Sequence, residues 1–159
     1  MREYSETELL SKAEAYCTSA ERCESEVRHK LQQWGCGEPE AESIIKSLKK
    51  ERYVDERRYC ASFARDKYRF CGWGRIKIVM TLRSKQLSDK DIEYGLSGID
   101  EEEYASVLEK LLQQKAKTLK PGSDYELRGR LMRFASGKGY TSEEIRRGLK
   151  TIGIDELID

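Results

Sequence analysis

Residues 55–88 read DERRYCASFARDKYRFCGWGRIKIVMTLRSKQLS. Apolar side chains recur in this segment every three or four positions, which is the spacing found on the buried side of a helix. Asp55 is suited to the start of a helix, and Gly72 and Gly74 are suited to its interruption. The segment therefore predicts two helices joined by a short, glycine-bounded turn.

The same segment is strongly basic. Nine lysine or arginine residues lie between Arg57 and Ser88, against a single acid, Asp66. The whole chain has 30 basic and 29 acidic residues, so this positive charge is local. Acidic blocks flank it, because residues 1–48 hold 6 basic and 10 acidic side chains and residues 91–114 hold 1 and 7. Blocks separated by more than a Debye length of about 10 Å present separate fields to a partner.

The composition predicts a helix-rich cytoplasmic protein. Of its 159 residues, 38% are hydrophobic and 37% are charged, and only two are proline. No apolar run approaches the roughly 20 residues that cross a bilayer, and the N-terminus lacks the basic-then-apolar order of a signal peptide. The five cysteines include no CxxC pair, so we expect small apolar residues rather than disulfide partners or zinc ligands.

The chain repeats itself. A shift of 53 residues superposes Arg75 on Arg128, Ile78 on Leu131, Lys85 on Lys138, Ile92 on Ile145 and Gly95 on Gly148. A shift of 51 residues brings Val27 onto Ile78 and Leu31 onto Leu82. We therefore predict an all-α fold of three tandem three-helix repeats in an elongated modular array. The predicted repeats are residues 1–53, residues 54–99, which hold the basic segment, and residues 100–159.

Local signals place the ends of nine helices. Capping pairs that begin helices are Ser5 with Glu8, Ser88 with Asp91 and Thr141 with Glu144. Helix-stopping signals are Gly35, Pro121 with Gly122, and Gly137 with Gly139. Apolar stripes predict the buried sides of the helices, including Tyr59, Cys60, Phe63, Ala64 and Phe70 on the fourth helix.

The sequence contains no catalytic pattern. His29 is the single histidine, and it lies on a helix where it has no orienting carboxylate nearby in sequence. The acids at 101–103 lie at a helix start, where they complement the helix dipole, so we do not interpret them as metal ligands. Neither GxGxxG nor GxxxxGK[ST] is present. We therefore expect a non-enzymatic protein without a cofactor or a bound metal.

The basic segment predicts a binding surface for a polyanion. On the helix that follows Asp55, three arginines at 58, 65 and 69 fall on one side. Further cations follow on the next helix, where Ile76 and Met80 point away from the core, as in a protein-binding patch. Trp73 and Tyr68 are candidates for stacking on a base, with burial in the core as the alternative. Because a surface of one sign needs a compensating partner, we expect these cations to stay accessible and unpaired with the flanking acids.

The segment from Tyr53 to Ser88 resembles the signature region of the RecX family, bacterial regulators of the RecA recombinase. An acidic helix start, a basic turn bounded by Gly72 and Gly74, and the apolar ladder of Ile78, Leu82 and Leu87 carry the resemblance. The tandem three-helix repeats extend it over nearly the whole chain.

The resemblance implies a monomeric, non-enzymatic regulator that binds the RecA filament on single-stranded DNA and lowers its ATPase and strand-exchange activities. The implied binding positions in the middle repeat are Arg58, Arg65, Lys67, Arg69, Trp73, Arg75, Lys77, Arg83 and Lys85. Those in the third repeat are Arg128, Arg130, Arg133 and Lys138.

Two other functions remain open at this point. One is a stand-alone DNA-binding regulator of helix-turn-helix type, in which the helix after Gly74 enters a major groove. Residues 75–85 offer cations and aliphatic side chains but no asparagine to read a base edge. The other is a protein scaffold with no role at nucleic acid.

Overall fold

The computed structural model describes residues 3–120 and 122–154. Within these residues it contains nine α-helices and no β-strand. The helices are α1 (Glu6–Ser19), α2 (Glu24–Gln33), α3 (Glu38–Lys50), α4 (Glu56–Cys71), α5 (Arg75–Ser84), α6 (Asp89–Ser97), α7 (Glu101–Thr118), α8 (Asp124–Gly137) and α9 (Ser142–Thr151). The all-α prediction of three successive groups of three helices is confirmed.

Most helix ends follow the predicted signals. Ser5 and Glu8 form a capping box at α1, and Thr141 and Glu144 form another at α9, because each side chain accepts a hydrogen bond from the other residue's backbone N–H. Ser88 accepts a hydrogen bond from the backbone N–H three residues later, at the start of α6. The predicted stop at Pro121 lies outside the described residues.

Each repeat turns from its second to its third helix at one left-handed residue. These residues are Gly35 (φ 84°), Gln86 (φ 68°) and Gly139 (φ 102°), and the shifts of 51 and 53 residues relate them. In each turn the next residue's N–H donates to a carbonyl five residues earlier, as in the bond from Leu87 to Leu82. A recurring turn at the predicted spacing supports the repeat as a unit of structure.

The described residues form two compact units. The first combines the residues up to Ser62 with Leu82–Gly95, and the second combines Phe63–Thr81 with the residues from Leu96 onward. The middle repeat therefore supplies residues to both units. The predicted repeat boundaries at residues 54 and 100 stay predictions.

In the first unit, α1, α2 and α3 pack on one another around an aliphatic core. Leu9, Val27, Leu31, Ile45 and Leu48 are almost completely inaccessible to solvent. The α6 helix lies close to α4 in this unit, because a Cβ atom on Gly95 would lie 2.6 Å from the carbonyl carbon of Cys60.

In the second unit, α7, α8 and α9 pack on one another, with Leu112 and Leu131 fully buried. A row of three tyrosines crosses this core. The ring centroid of Tyr104 lies 5.9 Å from that of Tyr68 and 5.4 Å from that of Tyr140. Edge-on and tilted contacts at these distances are favourable beyond the area that the rings bury.

One core prediction is wrong. The apolar spacing predicts Phe70 on the buried stripe of α4, but its side chain is 80% exposed. The buried residues of this helix include Cys60, Ala64 and Tyr68, which are four positions apart. Each step of four residues advances the buried side by about 40° around the helix, so the stripe has rotated away from Phe70 by the last turn.

Within the described residues, no helix is both long enough and apolar enough to cross a bilayer. In the same part of the chain, no three histidine, cysteine, aspartate or glutamate side chains group in a way that suits a metal ion.

Candidate nucleic-acid interface

The expectation that the basic segment stays unpaired is wrong for several of its cations. In the first unit, Arg58 Nε donates to Glu21 at 2.6 Å, and its two Nη atoms donate to backbone carbonyls of residues 52 and 53. Lys85 Nζ lies 3.1 Å from Glu26 Oε2. Burial alone would raise the pKa of Glu26, but the N–H of Cys23 and the Lys85 ammonium together lower it.

Two arginines of the second unit are also paired. Arg69 forms a two-pronged ion pair with Glu103, which accepts a further hydrogen bond from the hydroxyl of Tyr68 at 2.9 Å. The hydrogen bonds from Arg69 and Tyr68 lower the pKa of Glu103. Tyr68 is only 1% exposed, so of the two alternatives left open for its ring the structure supports burial. Its ring belongs to the core.

Arg75 is the most enclosed of the paired arginines of the basic segment. Its guanidinium contacts Glu101, lies 3.2 Å from Glu144 and lies 4.2 Å from the ring centroid of Tyr104. The backbone N–H of Arg75 donates to the Tyr104 hydroxyl at 2.9 Å. Arg75 therefore ties the start of α5 to α7 and α9.

Other predicted residues form weaker ion pairs at the surface. Arg65 lies 3.7 Å from the adjacent Asp66, Arg83 lies 3.2 Å from Asp89, and Arg130 lies 2.7 Å from Glu126. Exposed pairs of this kind contribute about 1 kcal/mol or less. They leave the arginines accessible. Arg128 is half-buried on α8, and Arg133 is exposed on the same helix.

Four predicted residues converge in the second unit, and we call them the Trp73 cluster: Lys67, Trp73, Lys77 and Lys138. The ammonium nitrogen of Lys67 lies 4.8 Å from the ring centroid of Trp73, and that of Lys77 lies 4.6 Å from it. Each contact is worth about 0.5–1 kcal/mol at an exposed site. The ring of Trp73 thus contacts two ammonium groups. One belongs to α4, before the turn, and the other to α5, after it.

Lys138 joins the cluster because two glycine turns are hydrogen-bonded to each other. The N–H of Gly74 donates to the carbonyl of Lys138 at 2.8 Å, and the N–H of Ile76 donates to the carbonyl of Gly139 at 3.0 Å. The side-chain ammonium of Lys138 donates to the carbonyl of Cys71 at 2.8 Å. The helix break before α5 and the turn before α9 therefore form one joint.

Only glycine fits at the contact between the two turns. A Cβ atom on Gly74 would lie 2.5 Å from the backbone nitrogen of Tyr140 and closer still to the carbonyl of Gly139. A Cβ atom on Gly139 would lie 2.7 Å from the backbone nitrogen of Lys77. Gly139 also has a φ of 102°, which side-chain-bearing residues rarely adopt.

The lysines of the Trp73 cluster have no acidic partner in the described part of the chain. Among residues 3–120 and 122–154, no carboxylate lies within 4.0 Å of Lys67, Lys77 or Lys138. Because the arginines around them are paired, the positive charge expected along the whole basic segment is concentrated at this joint.

Sequence reasoning missed the carboxylates that pair with the arginines. The sequence alone assigns Glu101 and Glu103 only to the start of α7, where they complement the helix dipole. Their second role requires knowing which helix lies beside α7. A usable signal was present, because the acidic block at 91–114 begins three residues after the end of the basic segment at Ser88.

Cys71 provides a chemical probe of the joint. Cys17, Cys23, Cys36 and Cys60 are buried, and burial raises the pKa of Cys17 to about 11 and that of Cys60 to about 12. Cys71 is exposed, and its carbonyl binds Lys138. Native protein is expected to react with a maleimide at Cys71 at least tenfold faster than at any other cysteine. Peptide mapping after a short exposure measures this. Comparable early labelling of Cys60 would contradict the packing described for the first unit.

The fold and the joint define a class: all-helical proteins of tandem three-helix repeats with a cationic cluster where two repeats meet. Family models for the first, second and third three-helix domains of RecX match residues 10–48, 55–96 and 101–149. The chain belongs to the RecX family of regulatory proteins.

Curated relatives agree with this assignment, and a solved structure shares the fold. The chain is 31% identical over 140 residues to "Regulatory protein RecX" of Clostridium botulinum strain Eklund 17B, and the match covers 87% of this chain and 65% of that protein. It is 34% identical over 147 residues to the protein of the same name from a second strain of that species, covering 89% and 68%. The chain thus spans about two thirds of the length of these relatives. The crystal structure of RecX from Lactobacillus salivarius has the same fold, with a TM-score of 0.83 at 18% identity, covering 92% of this chain and 96% of that one.

Proposed function

We propose that this protein is a non-enzymatic regulator of RecA, which binds along the RecA filament on single-stranded DNA and lowers its ATPase and strand-exchange activities. Membership of a family of regulatory proteins supports the regulatory role. We further propose that it acts as a monomer in the bacterial cytoplasm, where it needs no cofactor.

The observation that carries this proposal is the Trp73 cluster. Its three lysines, on α4, on α5 and in the turn before α9, have no carboxylate partner within the described residues. Three cations held together by a rigid joint attract a polyanion, and a nucleic-acid strand carries one phosphate per nucleotide. A RecA filament on single-stranded DNA therefore supplies negatively charged phosphates that can pair with the three lysines.

Exposed apolar side chains in the same unit support a second contact, with protein. Phe70 is 80% exposed, Met80 is 65% exposed and Ile76 is 46% exposed. Large apolar groups next to cations are typical of the buried centre of a protein interface. We propose that these side chains contact RecA while the lysines contact the strand.

The mechanism follows from having two kinds of contact on one chain. Simultaneous contacts of moderate strength raise the overall affinity, because the second contact forms at a high effective concentration. A regulator bound to neighbouring RecA subunits opposes the subunit motions that accompany ATP turnover. Inhibition therefore needs no chemistry from the regulator itself.

Single-strand-stimulated ATP hydrolysis by RecA tests the proposal. Wild-type protein is expected to lower the hydrolysis rate at least fivefold at saturation. A variant carrying Lys67→Gln, Lys77→Gln and Lys138→Gln is expected to need at least a tenfold higher concentration for the same effect. The matched control carries Lys46→Gln, Lys50→Gln and Lys110→Gln, which remove the same charge at other positions. An undiminished rate with excess wild-type protein would eliminate the proposed function.

The alternative, a stand-alone regulator of helix-turn-helix type, has less support. Recognition helices contact bases mainly through their N-terminal residues. The first turn of α5 is engaged within the second unit instead, because the N–H of Ile76 donates to Gly139 and the side chain of Arg75 is paired. Sequence-selective binding to duplex DNA at salt concentrations near physiological would favour this alternative.

A further inference from the structure

The joint that holds the Trp73 cluster has a counterpart in the first unit. There the start of α2 meets the turn after α5, and the hydroxyl of Ser25 donates to the carbonyl of Lys85 at 2.6 Å. In the second unit the start of α5 meets the turn after α8, and the N–H of Gly74 donates to the carbonyl of Lys138 at 2.8 Å. The shift of 53 residues places Lys85 on Lys138, so the two turns are equivalent. The molecule therefore contains the same joint twice.

The two joints differ in the charge at one equivalent position. In the first, Glu26 lies 3.1 Å from Lys85 and neutralises it. The shift of 51 residues places Glu26 on Lys77, so the second joint carries a lysine where the first carries the matching acid. Lys77 places a cation where the first joint has the acid that pairs with the turn lysine, and Lys67 adds another at the ring of Trp73. The first joint is a closed ion pair, and the second is an open cluster of like charges.

The open cluster is held in place at some electrostatic cost. Like charges brought close together repel, so an acid at the position of Lys77, as in the first unit, would relieve the repulsion. The backbone hydrogen bonds between the two glycine turns and the ring of Trp73 hold the ammonium groups despite this repulsion. Repulsion between like charges that is retained in a rigid part of the fold indicates a binding site for a ligand.

A ligand for three lysines must be an anion, and the contacts of the Trp73 ring indicate which chemical group binds. The ring of Trp73 is already engaged, because two ammonium groups lie within 5 Å of its centroid at 4.8 and 4.6 Å, and Phe63 lies edge-on at 6.2 Å. A nucleobase that stacked on Trp73 would have to displace a lysine. A phosphodiester group would instead bridge the lysines and leave the ring where it is.

We infer that the second joint is a phosphodiester site, which takes the sugar-phosphate backbone of a single strand and does not stack on its bases. This inference rests on the proposed function and specifies which chemical group of the DNA binds at the Trp73 cluster. It also explains why only one of the two equivalent joints is open, because Glu26 closes the other.

Exchanging the charges between the joints tests the inference without RecA. Lys77→Glu copies the closed joint into the second unit, where the new acid can pair with Lys138. Affinity for a fluorescent dT oligomer at about 50 mM salt is expected to fall at least tenfold. The slope of log affinity against log salt is expected to decrease by about 0.7–1.4, which corresponds to one or two phosphate contacts. Lys46→Glu changes the net charge equally at an exposed position in α3 and should leave both quantities within twofold of wild type.

The reverse exchange is a gain of function. Glu26→Lys opens the first joint and is expected to raise affinity for the dT oligomer at least threefold and to steepen the salt slope. Because Glu26 also accepts a hydrogen bond from the N–H of Cys23 at 3.0 Å, Glu26→Gln is the milder companion, which frees Lys85 and keeps that bond. Circular dichroism melts confirm that each variant is folded before binding is measured.

The nature of the ligand is tested with two further probes. An oligomer of abasic deoxyribose phosphate and inorganic polyphosphate are both expected to compete with the dT oligomer to within threefold of unlabelled dT. Failure of the abasic oligomer to compete, or unchanged binding in the Lys77→Glu variant, would overturn the inference. If strand binding responds as expected but RecA hydrolysis is never slowed, the proposed function fails and the site stands. If wild type slows RecA but Lys77→Glu binds strands normally, only the site fails.

Discussion

Alanine at position 74 is expected to lower the free energy of unfolding of the second unit by about 3–5 kcal/mol. The new Cβ atom would lie 2.5 Å from the backbone nitrogen of Tyr140, where no flexible side chain can move away. The two turns would have to separate, which breaks the hydrogen bonds from Gly74 to Lys138 and from Ile76 to Gly139. Overpacking costs about 1–3 kcal/mol and each lost hydrogen bond about 1 kcal/mol.

Urea unfolding followed by circular dichroism measures this loss, and Gly137→Ala is its control. Gly137 lies at the end of α8, where an added Cβ atom would have nothing within 4 Å, and its φ is not left-handed. Alanine there is expected to be neutral or to stabilise by up to about 1 kcal/mol. Equal stability of the Gly74→Ala and Gly137→Ala variants would mean that the two turns are not in contact in solution.

Glutamate at position 75 is expected to destabilise the second unit by about 2–3 kcal/mol. The side chain of Arg75 is 27% exposed and that of its partner Glu144 is 20% exposed, so solvent screens this pair only in part. Reversing the charge would place a third carboxylate beside Glu101 and Glu144. It would also remove the cation over the ring of Tyr104.

Arg65→Glu is the matched comparison on the same basic segment. Arg65 is 52% exposed, and within residues 3–120 and 122–154 its ion pair is with the adjacent Asp66, at 3.7 Å. Its reversal is expected to change the free energy of unfolding by no more than about 0.5 kcal/mol. Thermal melts of the two single variants provide the measurement. If both variants melt at the wild-type temperature, the enclosed ion pairs of Arg75 do not contribute to folding.

The paired arginines are poor positions for testing the binding surface. Charge reversal at Arg69 and Arg75 disturbs interactions that hold the second unit together, so a loss of inhibition would not separate folding from binding. Within the described residues, the ammonium groups of Lys67, Lys77 and Lys138 contact aromatic rings or a carbonyl and form no ion pair. Changes at the lysines therefore disturb folding less than changes at Arg69 or Arg75, and melts of the variants separate the remaining effect on folding from the effect on binding.

The helices were predictable because their signals are local. Ser5 and Glu8 are three residues apart, as are Thr141 and Glu144, and each pair forms the capping box that its spacing predicts. The repeat was predictable for a related reason, since a shift of fixed length aligns residues of the same type. Burial at the end of α4 was not predictable, because the rotation of the apolar stripe depends on which neighbouring element packs against each turn of the helix.

The ion pairs were not predictable from the sequence. Arg58 pairs with a glutamate 37 residues away, Arg69 with one 34 residues away, and Arg75 with Glu144, which is 69 residues away. Charge counts along the chain show that opposite blocks exist, but packing determines which members meet. The same is true of Lys67, Trp73, Lys77 and Lys138, because the sequence indicates each as a binding residue without any sign that they form one cluster.

The interleaved order of the two units has a consequence during synthesis. Translation proceeds at about 5–20 residues per second, and domains begin to fold as they leave the ribosome. Phe63–Thr81 of the second unit emerges before Leu82–Gly95, which completes the first. When the first unit is complete, this intervening segment still lacks its own partners, and it carries Tyr68 and Ile78, which are buried in the finished protein. Nascent chains stalled once residue 95 has left the ribosome should for this reason recruit chaperones more strongly than chains of which residues up to 154 have emerged.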